Sequence, residues 1–266
     1  MLGSLGSSEY WHWTAHGKHP VAGDYFRLGE DLPLLQAFAG WVHQGYQALA
    51  SKRSSPAAGY RSWRFWARGS ARGQLAGGLL KDSADRHGRP FPLLVVGTGP
   101  LAGWEEHWDL VPFAYEGSWN QIERLCTRGY GTLREFEAEM QRIRAPSPDW
   151  SVFQAQKEEI EKTAATGGGA MPRLQLEDIE KRARHLSRQS EILISLTEGP
   201  DDQFALVSLW HSLLRAGAPG VPNVVLMGGT GEAAFLVLLQ RPLGPDDFAW
   251  LWSGPAGGRE TARVGT

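Results

Sequence analysis

Apolar side chains recur at near-helical spacing from Leu34 and Leu35 through Phe38, Trp41 and Val42 to Tyr46 and Leu49, which predicts an amphipathic helix over Pro33–Ser51 with the proline in its first turn. Residues 62–66 alternate toward a strand, residues 74–81 form a short apolar run, and residues 92–97, with Leu93, Leu94, Val95 and Val96, read as a buried strand. A helical turn is expected at 104–109. Ile122, Leu125, Tyr130, Leu133, Phe136, Met140 and Ile143 support a long helix over 118–144, which Gly129 and Gly131 break or kink. A further helical pattern follows Ser151.

The glycine-rich stretch at 166–172 predicts a flexible connection and the best internal boundary. Beyond it the pattern predicts a charged helix over 174–187, strands at 192–196, 223–227 and 233–239, and helices at 204–215 and 245–252. The expected organisation is an N-terminal α/β region over 11–165, a C-terminal α/β region over 173–252 packed on it, and a disordered tail over 253–266. Strands interleaved with helices point to an α/β fold: a layered α/β/α sandwich with a mixed, partly antiparallel sheet.

Charge adds mainly exclusions. With 27 basic and 29 acidic residues the net charge is -2, so bulk electrostatics give no case for nucleic acid or an anionic membrane. The apolar runs are too short for membrane insertion, and the single cysteine, Cys126, cannot form an internal disulfide. A cytoplasmic protein is expected. The eight histidines show no metal-ligating spacing, and no metal or cofactor is expected. The 12 tryptophans suit either a binding surface or the margins of a large core, with the core favoured. The stretch Met227-Gly228-Gly229-Thr230-Gly231-Glu232 lacks the lysine and the following helix of a phosphate loop, and reads as a turn between strands.

Two polar segments stand out against this apolar pattern. The first is Gly17-Lys18-His19-Pro20-Val21-Ala22-Gly23-Asp24-Tyr25-Phe26; the second is Asp82-Ser83-Ala84-Asp85-Arg86-His87-Gly88-Arg89-Pro90-Phe91-Pro92, on a loop between two predicted strands. Their opposite charges are costly to bury unless paired, so the segments are expected to share one polar site built from Lys18, Asp24, Asp85, Arg86 and Arg89. Two readings stay open for it. In one, arginine–aspartate bridges lock the loops or contact a partner. In the other, Asp24 or Asp85 is a general base, and Arg86 and Arg89 hold the anion of a phosphate- or small-molecule-handling enzyme. No nucleophile, metal ligand or cofactor motif completes a catalytic constellation, which favours the first reading.

The patterns Gly-Lys-x-Pro-x-x-Gly-Asp-aromatic and Ser-x-Asp-Arg-x-Gly-Arg-x-Phe-Pro-Leu resemble the TagF (ImpM) family of bacterial type VI secretion accessory proteins. Ser208-Leu209-Trp210 is similar to that family's Ser-Leu/Val-Trp-Trp, with His211 in place of the second tryptophan. The resemblance implies a post-translational negative regulator of secretion that acts as an adaptor rather than an enzyme. Its implied partner is a secretion-system protein such as an Fha-type forkhead-associated scaffold. Some family members are fused to a phosphatase, whose metal-binding aspartates are not found here. Ser208, Trp210 and His211 mark a secondary surface under the same resemblance.

Overall fold

The computed structural model describes residues 10–51, 60–165, 180–181, 183–185, 189–196, 203–217, 220–230 and 233–253. The expected connection at 166–172, most of the expected helix at 174–187 and the tail beyond Ser253 lie outside these residues.

Eight strands form one sheet: β1 (His12–Gly17), β2 (Phe26–Leu28), β3 (Ser62–Arg68), β4 (Gln74–Lys81), β5 (Leu93–Pro100), β6 (Glu191–Ser195), β7 (Val224–Gly229) and β8 (Ala234–Leu239). Their spatial order is β2-β1-β5-β4-β3-β7-β8-β6. Strands from before and after the expected internal boundary are thus continuous, joined where β3 pairs with β7. Among the described residues every strand pairing is antiparallel, where the sequence pattern predicts a mixed sheet. The physical reason is connectivity. Neighbours such as β3 and β4 or β7 and β8 are joined by short links, which permit only antiparallel pairing. The helical crossovers join strands that do not lie side by side.

Among the described residues the complete helices are α1 (Pro33–Ser51), α2 (Val111–Thr127), α3 (Leu133–Met140), α4 (Trp150–Ala165), α5 (Gln203–Gly217) and α6 (Pro245–Ser253), with a 3-10 turn at Trp108–Leu110; residues 180–181 and 183–185, within the helix expected over 174–187, are also helical. The long helix expected over 118–144 is two helices, and the break falls at the glycines. Thr132 Oγ1 accepts from the Glu135 N–H at 3.2 Å while the Glu135 carboxylate accepts from the Gly131 N–H at 3.0 Å. This reciprocal cap starts α3 afresh.

Strand parity divides the interior in two. Trp63, Phe65 and Ala67 of β3, Ala76 and Leu80 of β4, and Leu94 and Val96 of β5 join a cluster with Leu35 and Phe38 of α1 and Phe248 and Trp252 of α6. The alternate residues Trp66, Leu75, Leu79, Leu93 and Val95 join a second cluster with Trp119 of α2, Phe136 of α3 and Trp210 of α5. Most tryptophans are therefore core residues. Gly77 allows one close approach: a Cβ there would meet the Tyr115 ring at 2.5 Å, so glycine lets α2 lie against β4. Among the described residues no helix is long and apolar enough to cross a membrane.

Candidate functional site

The two polar segments are the β1–β2 and β4–β5 connections. Because β1 and β5 are antiparallel neighbours, with His16 opposite Leu94, both loops emerge from the same end of the sheet. Gly17 sets their spacing. It has φ 126°, and a Cβ there would lie 2.0 Å from the Pro92 carbonyl oxygen, so only glycine lets the start of the first loop meet the end of the second. Further along, the Arg86 N–H donates to the Ala22 carbonyl at 2.8 Å, Arg86 Nη2 to the Val21 carbonyl at 2.9 Å, and Arg89 Nη2 to the Gly23 carbonyl at 2.6 Å.

Asp85 is the centre of this assembly. Its side chain is 0% exposed and sits 2.9 Å from Lys18 Nζ and 2.7 Å from Arg89 Nε. Its other oxygen accepts from the His87 N–H at 2.9 Å and the Arg89 N–H at 3.1 Å, holding the tight turn that Gly88 N–H closes onto the Asp85 carbonyl. Burial alone would raise the Asp85 pKa, but Lys18, the two backbone N–H groups and Arg89 outweigh it and hold the carboxyl well below the usual carboxylate range. A buried, ionised carboxylate with four donors is a structural post, not a base poised near neutrality.

Asp24 is different, 69% exposed at the rim of the cluster. The Tyr25 N–H and then Arg89 lower its pKa, and its carboxylate lies 3.3 Å from Arg89 Nη2 and 3.8 Å from Lys18 Nζ. Lys18 is 12% exposed and Arg89 52%. The five residues chosen from the sequence therefore come together, in two roles. Asp85 and Lys18 lie beneath; Asp24, Arg86 and Arg89 reach the surface, with exposed His87 beside them. Both arginines donate to carbonyls, and Arg89 also to carboxylates, so the loop pair takes up part of their donor capacity. Three surface cavities of about 550, 420 and 400 Å³ lie elsewhere, and no residue of either loop lines them.

The model of the TagF N-terminal domain, type VI secretion system-associated, matches residues 14–145. The chain belongs to the TagF family. Both motif loops, α1, α2 and α3 lie within the TagF segment, whereas β6, β7 and β8, which complete the sheet, lie beyond it. A solved structure of PA0076 from Pseudomonas aeruginosa PAO1 is similar at 17% identity, covering 93% of this chain and 96% of that one with a TM-score of 0.48. Among curated proteins none matches this TagF chain.

Several contributors to the TagF loop pair were not selected from the sequence. Tyr25 packs edge-on against Phe91 with centroids 5.4 Å apart, and Phe91 also meets Tyr46 of α1 at 4.8 Å. Asp82 accepts from the Arg61 side chain at 3.1 Å and from Trp252 Nε1 of α6 at 3.0 Å, fixing the base of the second loop. Phe91 and Asp82 stand in the quoted motif, so motif membership was the available signal; α1 and α6 approach only through the fold.

Ser208, Trp210 and His211, expected as a secondary surface, are instead buried in α5 at 0%, 2% and 0% exposure. His211 bonds through Nδ1 to the Val207 carbonyl oxygen at 2.8 Å, while Ser208 Oγ makes no hydrogen bond, so the pair does not form a nucleophile and base. Burial pushes the His211 pKa down from 6.5 to about 4, and burial followed by Arg27 does the same to His16. Between those values the unfolded chain binds more protons than the folded one. Stability is accordingly complete above pH 6.5 and falls as the pH drops toward 4, by about 3 kcal/mol from His211 alone. Urea unfolding at pH 7 and pH 4.5 checks this, and His211→Gln is expected to flatten the dependence.

Proposed function

We propose that this TagF-family chain is a non-enzymatic, post-translational negative regulator of bacterial type VI secretion. It acts in the cytoplasm by binding a secretion-system component, such as an Fha-type forkhead-associated scaffold, through the exposed tips of the paired loops. The observation that carries this reading is the division of labour around Asp85. Four donors to Asp85, two of them the charged Lys18 and Arg89 side chains, hold the two loops together, so that Asp24, Tyr25, Arg86, His87 and Arg89 are presented without a large ordering cost on binding. Tyrosine and arginine are the side chains that most often anchor protein interfaces. The two cores on opposite sides of the sheet are read as the two seams of an α/β/α sandwich, whose end carries the loop pair.

The test uses exposed residues whose loss leaves Asp85 satisfied. Arg86→Ala and Tyr25→Ala are each expected to weaken binding to a purified Fha-type scaffold at least about tenfold, as anchor truncations do, with a fall in melting temperature smaller than that of Asp85→Ala, since each removes only one partly exposed contact. In cells the same variants are expected to relieve repression of secretion. Unchanged affinity in both would remove the loop tips as the contact.

A further inference from the structure

A second site borders the first loop where the C-terminal turn of α2 meets the end of α3; the Tyr130 ring there lies 6.0 Å from the His19 ring of the β1–β2 connection. A groove of about 400 Å³ is lined there by Gln121, Arg124, Arg128, Tyr130, Glu139 and Arg142, among others. Arg124 and Arg128 are four residues apart, so helical spacing brings both to one wall; Arg142 follows α3 on the other. Among the described residues only one of the three guanidinium groups has a carboxylate partner: Arg142 Nη1 donates to Glu139 at 2.7 Å. Arg124 Nε is held by the Asn120 carbonyl at 3.0 Å. The Arg128 guanidinium lies over the Tyr130 ring at 5.7 Å.

Three arginines against one glutamate leave this concavity with an excess of two positive charges, which repel one another unless an anion enters. The arginines are also partly preoriented, by a backbone acceptor in one case and an aromatic face in the other. We propose that the groove binds a phosphate monoester. Its charge of about −1.5 to −2 at neutral pH balances the excess, and its three terminal oxygens suit the forked donors of arginine. Tyr130 offers an apolar wall for the carbon side of the ester. None of Lys18, Asp24, Asp85, Arg86 and Arg89 lines the groove, and its test uses phosphate in place of the proposed partner.

Calorimetric titration of the full chain at low salt, with inorganic phosphate, phosphoserine and a short phosphoserine peptide, reads the site directly. Inorganic phosphate is expected to bind with Kd of about 1 mM and acetate far more weakly. Arg124→Ala and Arg128→Ala are each expected to weaken phosphate binding about tenfold. Glu139→Gln, which frees Arg142, is expected to tighten it severalfold, and Arg134→Ala, on α3 outside the groove, to leave it unchanged. A peptide that binds more tightly than free phosphoserine would place the ester on a modified protein, and equal binding would place it on a small molecule. Phosphate binding no tighter than acetate, or unaffected by Arg128→Ala, would overturn the proposal.

Discussion

Replacing Asp85 with alanine is expected to separate the two loops and to lower the melting temperature by roughly 5–10 °C. The substitution removes the acceptor of two charged side chains and two backbone N–H groups at a position without solvent access. Lys18, 12% exposed, would then be left without its 2.9 Å partner. Leaving one member of a buried pair uncompensated costs far more than an exposed pair contributes. Asp85→Asn keeps the shape but not the charge, and is expected to fall between wild type and alanine. Thermal melting reads the global effect. Amide exchange at His87 and Arg89, fast in Asp85→Ala and slow in the wild type, reads the loss of the turn itself. Because the Asp85 pKa is lowered on folding, its contribution is present above the ordinary carboxylate pKa of 3.8 and is lost only as the pH falls below it. That window lies under the one set by His211 and His16, so the two effects are separable by pH.

A comparable loss is expected at a carboxylate far from the motifs. Asp109, in the 3-10 turn before α2, has a side chain 0% exposed; it is 2.9 Å from Lys157 of α4 and also pairs with Arg215 of α5. It thereby ties the TagF segment to two helices outside it. Asp109→Ala is expected to cost about 3–5 kcal/mol, the usual consequence of stranding buried charge, measured as a lower urea midpoint. Lys157→Met in the same background is expected to restore part of the loss, because it removes the stranded ammonium while keeping the apolar stem.

Much of the fold is legible in the chain because its elements are strongly periodic. The helix expected over Pro33–Ser51 has those bounds, and the strands read at residues 74–81 and 233–239 fall on β4 and β8. What escaped is instructive. β1, with the sequence His-Trp-Thr-Ala-His-Gly, is buried on both faces from Trp13 onward and so shows no apolar–polar alternation. α2 begins at Val111 rather than at 118, although Pro112 in its first turn is a start signal that could have placed it. The antiparallel sheet was hidden because strand–helix alternation indicates parallel neighbours only when each crossover returns to the adjacent strand, and here none does.

The candidate site was legible as a set of charges, since glycine, proline and paired signs punctuate both loops. Their separate roles were not. Asp24 and Asp85 look alike in sequence, and only the placement of β1 beside β5 makes one a rim residue and the other a buried post. The arginine groove was missed for a related reason. Arg124 and Arg128 show helical spacing, but Arg142 reaches them only because the cap at Thr132 turns α3 back against α2.

The most direct test of the loop pair as the regulatory contact is amide exchange across the full chain, alone and saturated with a purified Fha-type scaffold. Protection is expected in residues 20–26 and 84–91, with the outer faces of α4 and α5 unchanged. Protection confined to other surfaces, with both loops exchanging as in the free protein, would contradict it.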